Sequence, residues 1–191
     1  LDGHALNTDT GRDLQRDHAG RLRHLLTLEG LARDEIVHLL DLAQFYVREP
    51  GDLPARDGAL LGRTVANLFF EPSTRTRVSF GAAFCRLGGA VCDTTGFTFS
   101  SMVKGESIAD TSRVVSGYVD AIVVRHPDQG SVAEFARHTH LPVINGGDGT
   151  GEFGFAAEKI GGLKIDKVPF TLPAGPGFLP IGVSGDLTLR Q

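Results

Sequence analysis

The sequence predicts an α/β fold in which a parallel sheet carries helices on both faces, and three observations predict it. Short apolar runs at TVANLFF (64–70), AVCDTT (90–95), AIVVRH (121–126) and PVIN (142–145) have the length and composition of buried strands. Segments of helical character fall between them. Strand and helix signals alternate in order, which calls for right-handed crossovers and therefore for parallel strands.

Residues 1–22 are polar, mixed in charge and without periodicity, and read as a flexible leader. From Leu31 to Val47, Ile36, Leu39, Leu40, Ala43 and Val47 recur at the spacing of an amphipathic helix, and Pro50-Gly51 stops it. That helix has one face to bury. The run 64–70 follows as a strand, and Ser73–Leu87 as a helix with Ser73 at its N-cap and Gly88-Gly89 beyond its end. Next come a strand at 90–95, a helix at 108–118, a strand at 121–126, a helix at 131–139 and a strand at 142–145. After Gly151 the chain turns rich in Gly and Pro, with short apolar runs and no useful helical period. This stretch reads either as strands of an incomplete second unit or as a poorly ordered tail. The expected organisation is a leader (1–22), one α/β domain (23–152) and a divergent tail (153–191).

Composition narrows the class. With 191 residues, 41% of them hydrophobic, the chain is long enough for a sizeable core. A net charge of −4 without any dense basic run argues against nucleic acid as the main partner. No apolar run approaches the roughly 18 residues of a bilayer span, and the first residues contain no signal-like hydrophobic segment, so the expectation is a cytoplasmic protein without membrane contact. Cys85 and Cys92 have no metal-type companions and read as a reduced, buried pair of small residues. No metal site is expected.

In parallel α/β sheets ligands sit beyond the carboxyl ends of the strands, here the loops after Phe70, Thr95, Arg125 and Asn145. The first reads FFEPSTRTRVSF (69–80) and sets Ser73, Thr74, Arg75, Thr76 and Arg77 where a strand gives way to a helix. A helix's first turn offers unpaired N–H groups and partial positive charge, to which hydroxyls and a guanidinium fork add donors for an anion, phosphate above all. The second loop, TGFTFSSMVKGES (95–107), carries Ser100, Ser101 and Lys104. Read alone it is a solvated loop; beside the first it also suits a lid closing on phosphate. The third brings Arg125 as a second cation, while His126, next to Pro127, reads equally as a turn residue packed on its neighbours.

Together FFEPSTRTRVSF, SSMVKGESIADTSRVVSGYVDAIVVRHP and PVINGGDGTGE resemble the carbamoyl-phosphate domain of the aspartate carbamoyltransferase family, from about Leu25 to Glu152. Ornithine carbamoyltransferases share the S-T-R-T-R element, but Lys104-Gly105-Glu106 and Arg125-His126-Pro127 fit the aspartate enzymes better. The resemblance implies transfer of a carbamoyl group from carbamoyl phosphate to L-aspartate in pyrimidine synthesis, with no metal or organic cofactor. It implies that Ser73, Thr74, Arg75 and Thr76 hold the phosphate, that Arg75 stabilises the departing group, and that Thr76 and Arg125 reach the carbonyl oxygen. It further implies that Ser100 and Lys104 enter a neighbouring subunit's site, in a homotrimer or an association with related catalytic chains.

The pattern breaks after Gly149-Thr150-Gly151-Glu152. There the family continues His-Pro-Thr-Gln, whose His and Gln help bind the carbamoyl group, and this chain reads Phe153-Gly154-Phe155-Ala156. The family's aspartate-binding second domain is expected to be missing or vestigial, although Gly162-Leu163-Lys164-Ile165 and Gly185-Asp186-Leu187 faintly resemble its first strand. A non-catalytic relative acting as an anion-binding or assembly subunit is the alternative.

Overall fold

A computed structural model describes residues 11–46, 58–95, 104–149, 164–167 and 187–190. They fall into two units, Leu1–Leu28 with Ala55–Gly154 and Glu29–Pro54 with Phe155–Gln191.

The first unit is built on a four-stranded sheet of β1 (Thr64–Phe69), β2 (Ala90–Thr95), β3 (Ala121–His126) and β4 (Val143–Asp148), in the order β2-β1-β3-β4. Each neighbouring pair is parallel. The connections run through α2 (Thr74–Arg86), α3 (Ile108–Val115) and α4 (Ser131–Arg137). The chain steps outward from β1 to β2, then back across to β3 and on to β4. Right-handed crossovers in opposite directions put their helices on opposite faces.

Two apolar clusters record this division. Val65, Phe69 and Val123 pack with Phe80 and Phe84 of α2 on one face. Ala66, Leu68, Phe70, Ile122 and Val124 pack with Val132, Phe135 and Ala136 of α4 and with the half-buried Ile108 and Val115 of α3 on the other. The strand period of two sorts β1 and β3 between these layers. Both strands are buried on both faces, which is why they read as continuous apolar runs.

Part of the expected leader is built into this unit. A 3-10 turn at Arg12–Leu14 and a bridge between Arg16 and Leu22 lead to Leu25, which pairs in parallel with Ile144 along the outer edge of β4. Gln15, 2% exposed, accepts the Leu26 and Thr27 amides at 3.0 Å through its Oε1. A buried glutamine bonded to two backbone amides carries no hydrophobic period, so its role was invisible in composition. The cysteine expectation is also corrected: Cys85 on α2 and Cys92 on β2 are both exposed. Strand β2 lies at the sheet margin, and α2 turns Phe80 and Phe84, rather than Cys85, toward the core.

In the second unit α1 (Arg33–Phe45) begins where Glu35 Oε2 accepts the Ala32 amide at 2.8 Å. It is two residues shorter at each end than the spacing predicts. Two short strands, β5 (Lys164–Lys167) and β6 (Leu187–Arg190), pair antiparallel with Ile165 opposite Leu189. Among the described residues no helix is long and apolar enough to cross a membrane.

The edge contact sets an acid limit on the fold. His24 is buried beside β4 and its Nδ1 accepts the Val143 amide at 3.1 Å; burial, aided by Arg23, lowers its pKa from 6.5 to about 4. The fold thus prefers the neutral ring. Its contribution is complete above about pH 6.5 and is lost as pH falls toward about 4, on the order of 3 kcal/mol in all. Thermal unfolding across that window should show the midpoint falling with acid, and His24→Asn, which keeps an acceptor for Val143, should flatten the slope. An unchanged slope in that variant would remove His24 from the account.

Candidate anion-binding crevice

Adjacent strands β1 and β3 send their following helices to opposite faces, so their carboxyl ends border a crevice that neither helix fills. Into it come the residues between β1 and α2 and those at the end of β3.

Ser73 takes the N-cap position of α2 with extended backbone (φ −155°), and its carbonyl accepts the first helical bond from Arg77 N at 3.1 Å. Its hydroxyl makes no capping bond. The expected cap is thus positional only, and the amides of the first turn keep their outward direction. Thr74 and Arg75 are exposed, and Ser73 and Thr76 half-buried.

The two arginines of this turn have different work. Arg77 turns back to Asp93 of β2 at 3.3 Å, and its carbonyl accepts the Asn67 side-chain amide at 3.3 Å. It ties the turn to the sheet. Arg75, by contrast, enters no ion pair among the described residues, and its fork is available to a ligand.

Arg125 is held from two strands. Its Nη2 lies 2.5 Å from Glu71 Oε1, an ion pair set by proximity rather than by an aligned hydrogen bond. Its Nη1 donates to Gly146 O at 3.0 Å. That carbonyl is presented by a bulge, because Val124 pairs with Asn145 while Arg125 pairs with Gly147, leaving Gly146 as the extra residue. Gly147 then adopts φ 137°, and a side chain there would collide with the Arg125 guanidinium. Asn145 steadies the bulge by accepting the Gly147 amide at 2.8 Å and donating to Leu26 O at 2.9 Å.

Next along the same edge, Asp148 Oδ2 accepts the Gly130 amide at 3.0 Å. Burial pushes its carboxyl up from the ordinary value, against the amides of 130–132 that hold it down. His126 is buried, its ring 5.3 Å from that of Phe70, and its Nδ1 accepts the Asp128 amide at 3.0 Å. Burial lowers its pKa, opposed by Asp128 and Glu71. Among the described residues no cluster of three or more His, Cys, Asp or Glu is arranged for a metal.

Of the residues singled out in the sequence, Ser73, Thr74, Arg75, Thr76 and Arg125 stand at the ends of adjacent strands. Lys104 is exposed ahead of α3 and joins none of the bonds around Arg125, and Ser100 lies outside the described residues. Sequence reasoning missed Glu71 and the glycine pair. The Gly-Gly of PVINGGDG was the available signal, because paired glycines in a strand pattern mark a bulge; β4 runs three residues past the predicted end.

Gly147→Ala tests the bulge. It should cost about 1–3 kcal/mol in stability through backbone strain, and displace Arg125 so that anion affinity falls about tenfold. Gly149→Ala is the control, since φ is 91° there but a methyl would stand 3.5 Å from its nearest neighbour. Equal phosphate affinity in the two variants, measured by calorimetry, would show that the guanidinium's seat does not depend on Gly147.

Comparison with known proteins supplies the lineage of this arrangement. Residues 23–153 match the family model described as aspartate/ornithine carbamoyltransferase, carbamoyl-P binding domain. The aspartate carbamoyltransferase catalytic subunit of Dichelobacter nodosus is 57% identical over 130 residues, covering 68% of this chain and 37% of that protein. The one from Archaeoglobus fulgidus is 48% identical over 134 residues, covering 69% and 44%. Among solved structures, the catalytic subunit of M. jannaschii aspartate transcarbamoylase superposes with a TM-score of 0.58 at 40% identity, over 67% of this chain and 42% of that one. Aspartate transcarbamoylase from Trypanosoma cruzi, in complex with carbamoyl aspartate and phosphate, gives 0.58 at 37%, over 68% and 40%. The chain therefore spans less than half the length of these relatives. Motif order, sheet topology and the matched segment agree, and the chain belongs to the aspartate/ornithine carbamoyltransferase family through its carbamoyl-phosphate-binding domain.

Proposed function

We propose that the crevice binds carbamoyl phosphate and that the chain serves carbamoyl transfer to L-aspartate. The observation that carries this reading is the division of labour at the start of α2: Arg77 is spent on Asp93, whereas Arg75 enters no ion pair among the described residues, beside hydroxyls the helix does not use. In this reading Ser73, Thr74, Arg75 and Thr76 bind the phosphate, and Arg75 offsets the charge gathering on it as it departs. Thr76 and Arg125 meet the carbonyl oxygen.

The chemistry asks little covalent help of the protein. The aspartate amine attacks the carbonyl carbon, the oxygen takes up negative charge, and the carbon–oxygen bond to phosphate breaks, the departing phosphate taking the proton that the nitrogen loses. Orientation and fixed positive charge supply most of what such a step needs. No metal or organic cofactor enters. Ser100 and Lys104 would complete the site from a neighbouring copy in a homotrimer, or in an association with related catalytic chains.

One observation favours a second reading, a non-catalytic relative that keeps the anion site for assembly. Phe153-Gly154-Phe155-Ala156 stands where the resemblance calls for His-Pro-Thr-Gln, so two groups expected at the carbamoyl carbonyl are replaced. Loss of one such donor typically costs about a hundredfold in rate.

Calorimetry with carbamoyl phosphate separates binding from turnover. Arg75→Ala should weaken affinity about ten- to hundredfold, the range of a lost charge-assisted hydrogen bond. Formation of carbamoyl aspartate, abolished in that variant, would support the first reading; tight binding by an oligomer without product would support the second. Absence of carbamoyl phosphate binding would refute both.

A further inference from the structure

Arg125 and His126 are consecutive on β3, so the strand's alternation sends them to opposite faces. Arg125 falls on the side of Val123 and α2, with Glu71. His126 falls on the side of Val124 and α4, where its ring meets Phe70, itself stacked on Phe135 at 5.7 Å. The seat is apolar. A phenylalanine or leucine would suit it, and the histidine there leaves Nε2 buried without a partner among the described residues. Placing a polar ring in such a seat is costly unless its other nitrogen does something an apolar side chain cannot.

The other nitrogen holds a turn. Nδ1 accepts the Asp128 amide at 3.0 Å, which places the ring proton on Nε2. The same turn continues to Gly130, whose amide goes to Asp148, while the His126 carbonyl accepts the Gly149 amide at 3.0 Å. These bonds lock the end of β3 to the end of β4 immediately beyond the bulge. The bulge carries Gly146 O, one of the groups that aim the Arg125 guanidinium. On the other side, Phe70 donates its amide to Arg125 O at 2.9 Å and leads directly into Glu71, another such group. His126 thus touches, through its ring and its carbonyl, the chain just beyond β1 and just beyond β4, the two sides from which Glu71 and Gly146 reach Arg125.

We propose that His126 is a positioning residue for Arg125, its unprotonated Nδ1 fixing the turn at 127–130 and thereby the bulge and the guanidinium it orients. Its consequence for ligand affinity rests on the carbamoyl-phosphate reading above; its effect on Arg125 does not.

Three variants of the full chain separate the roles of the ring. His126→Phe keeps the volume and removes the acceptor. His126→Asn places an oxygen where Nδ1 lies, and His126→Gln places its amide near Nε2 instead. The first readout needs no ligand: solvent exchange of the Arg125 Nη1 protons, which donate to Gly146 O, followed by NMR and assigned by their loss in Arg125→Lys. Exchange should rise about tenfold in the Phe and Gln variants and stay within about twofold of the parent in Asn, the protection expected of an oriented, hydrogen-bonded guanidinium. The second is carbamoyl phosphate affinity, which should fall about fivefold in Phe and Gln and recover in Asn.

Parent-like exchange in a folded Phe variant would overturn the proposal, as would Asn and Gln variants altered alike. Should Phe fail to fold, the Asn and Gln pair decides the same question. A parent chain that binds no carbamoyl phosphate would refute the functional reading, while the Arg125 exchange would still decide the role of His126.

Discussion

The constraint on which the rest depends is the reversal, at β1 and β3, of the direction in which the chain winds across its parallel sheet. Right-handed crossovers that move outward to β2 and then back past β1 must cover opposite faces of the sheet. Two neighbouring strands therefore end without a shared helix above them. A crevice at that point follows from handedness and strand order alone, before any side chain is considered. What sequence adds is charge, placed in the loops that the geometry already directs there.

Concentrating cations at the edge of an apolar sheet raises a problem that the structure meets by unequal treatment. Arg125 is four-fifths buried and lies beside Glu71, itself equally sheltered. Buried pairs of this kind add little net stability, because desolvation offsets the attraction, but they fix a geometry that hydrophobic contacts would leave loose. Arg77 is neutralised by Asp93 and serves the helix start. Arg75 sits on the exposed first turn and has no such partner among the described residues, so its charge faces solvent and keeps its attraction for an anion. One anchored cation and one exposed cation suit a ligand that must first be captured and then held in register.

The apolar strands and their alternation with helices were legible because burial on both faces leaves a compositional mark, and β2 and β3 fall on the predicted residues. The turn proposed for phosphate was legible as a strand-to-helix junction bearing hydroxyls and arginines, and β1 and α2 do meet there. Its support was not. Glu71 stood in plain view ahead of Pro72, but nothing local shows that it pairs with a residue 54 positions away. The bulge at Gly146 was obscured because two glycines ended the apolar run, and the edge pairing of Leu25 was obscured by charged neighbours. Cys85 and Cys92 misled for the opposite reason: small apolar side chains usually sink, but one lies on the outer side of α2 and the other on a strand at the sheet margin.

These features divide the site by how far apart its parts lie in sequence. The groups proposed for the phosphate sit on one continuous turn, so their geometry depends on little beyond β1 and α2 forming. The groups proposed for the carbonyl are assembled from β1, β3 and β4, through Glu71, Arg125 and the bulge, and each must be in register for the others to work. In sequence, the changes after Glu152 follow closely on β4, the strand that carries the bulge, and stand far from the turn that opens α2. A chain altered there would be expected to keep its grip on the leaving phosphate longer than its control of the carbonyl, because local turns tolerate distant change and long-range constellations do not. In the proposed chemistry, anion capture is thus the more durable half, and carbonyl polarisation the half that first reveals whether the strand ends are still held together.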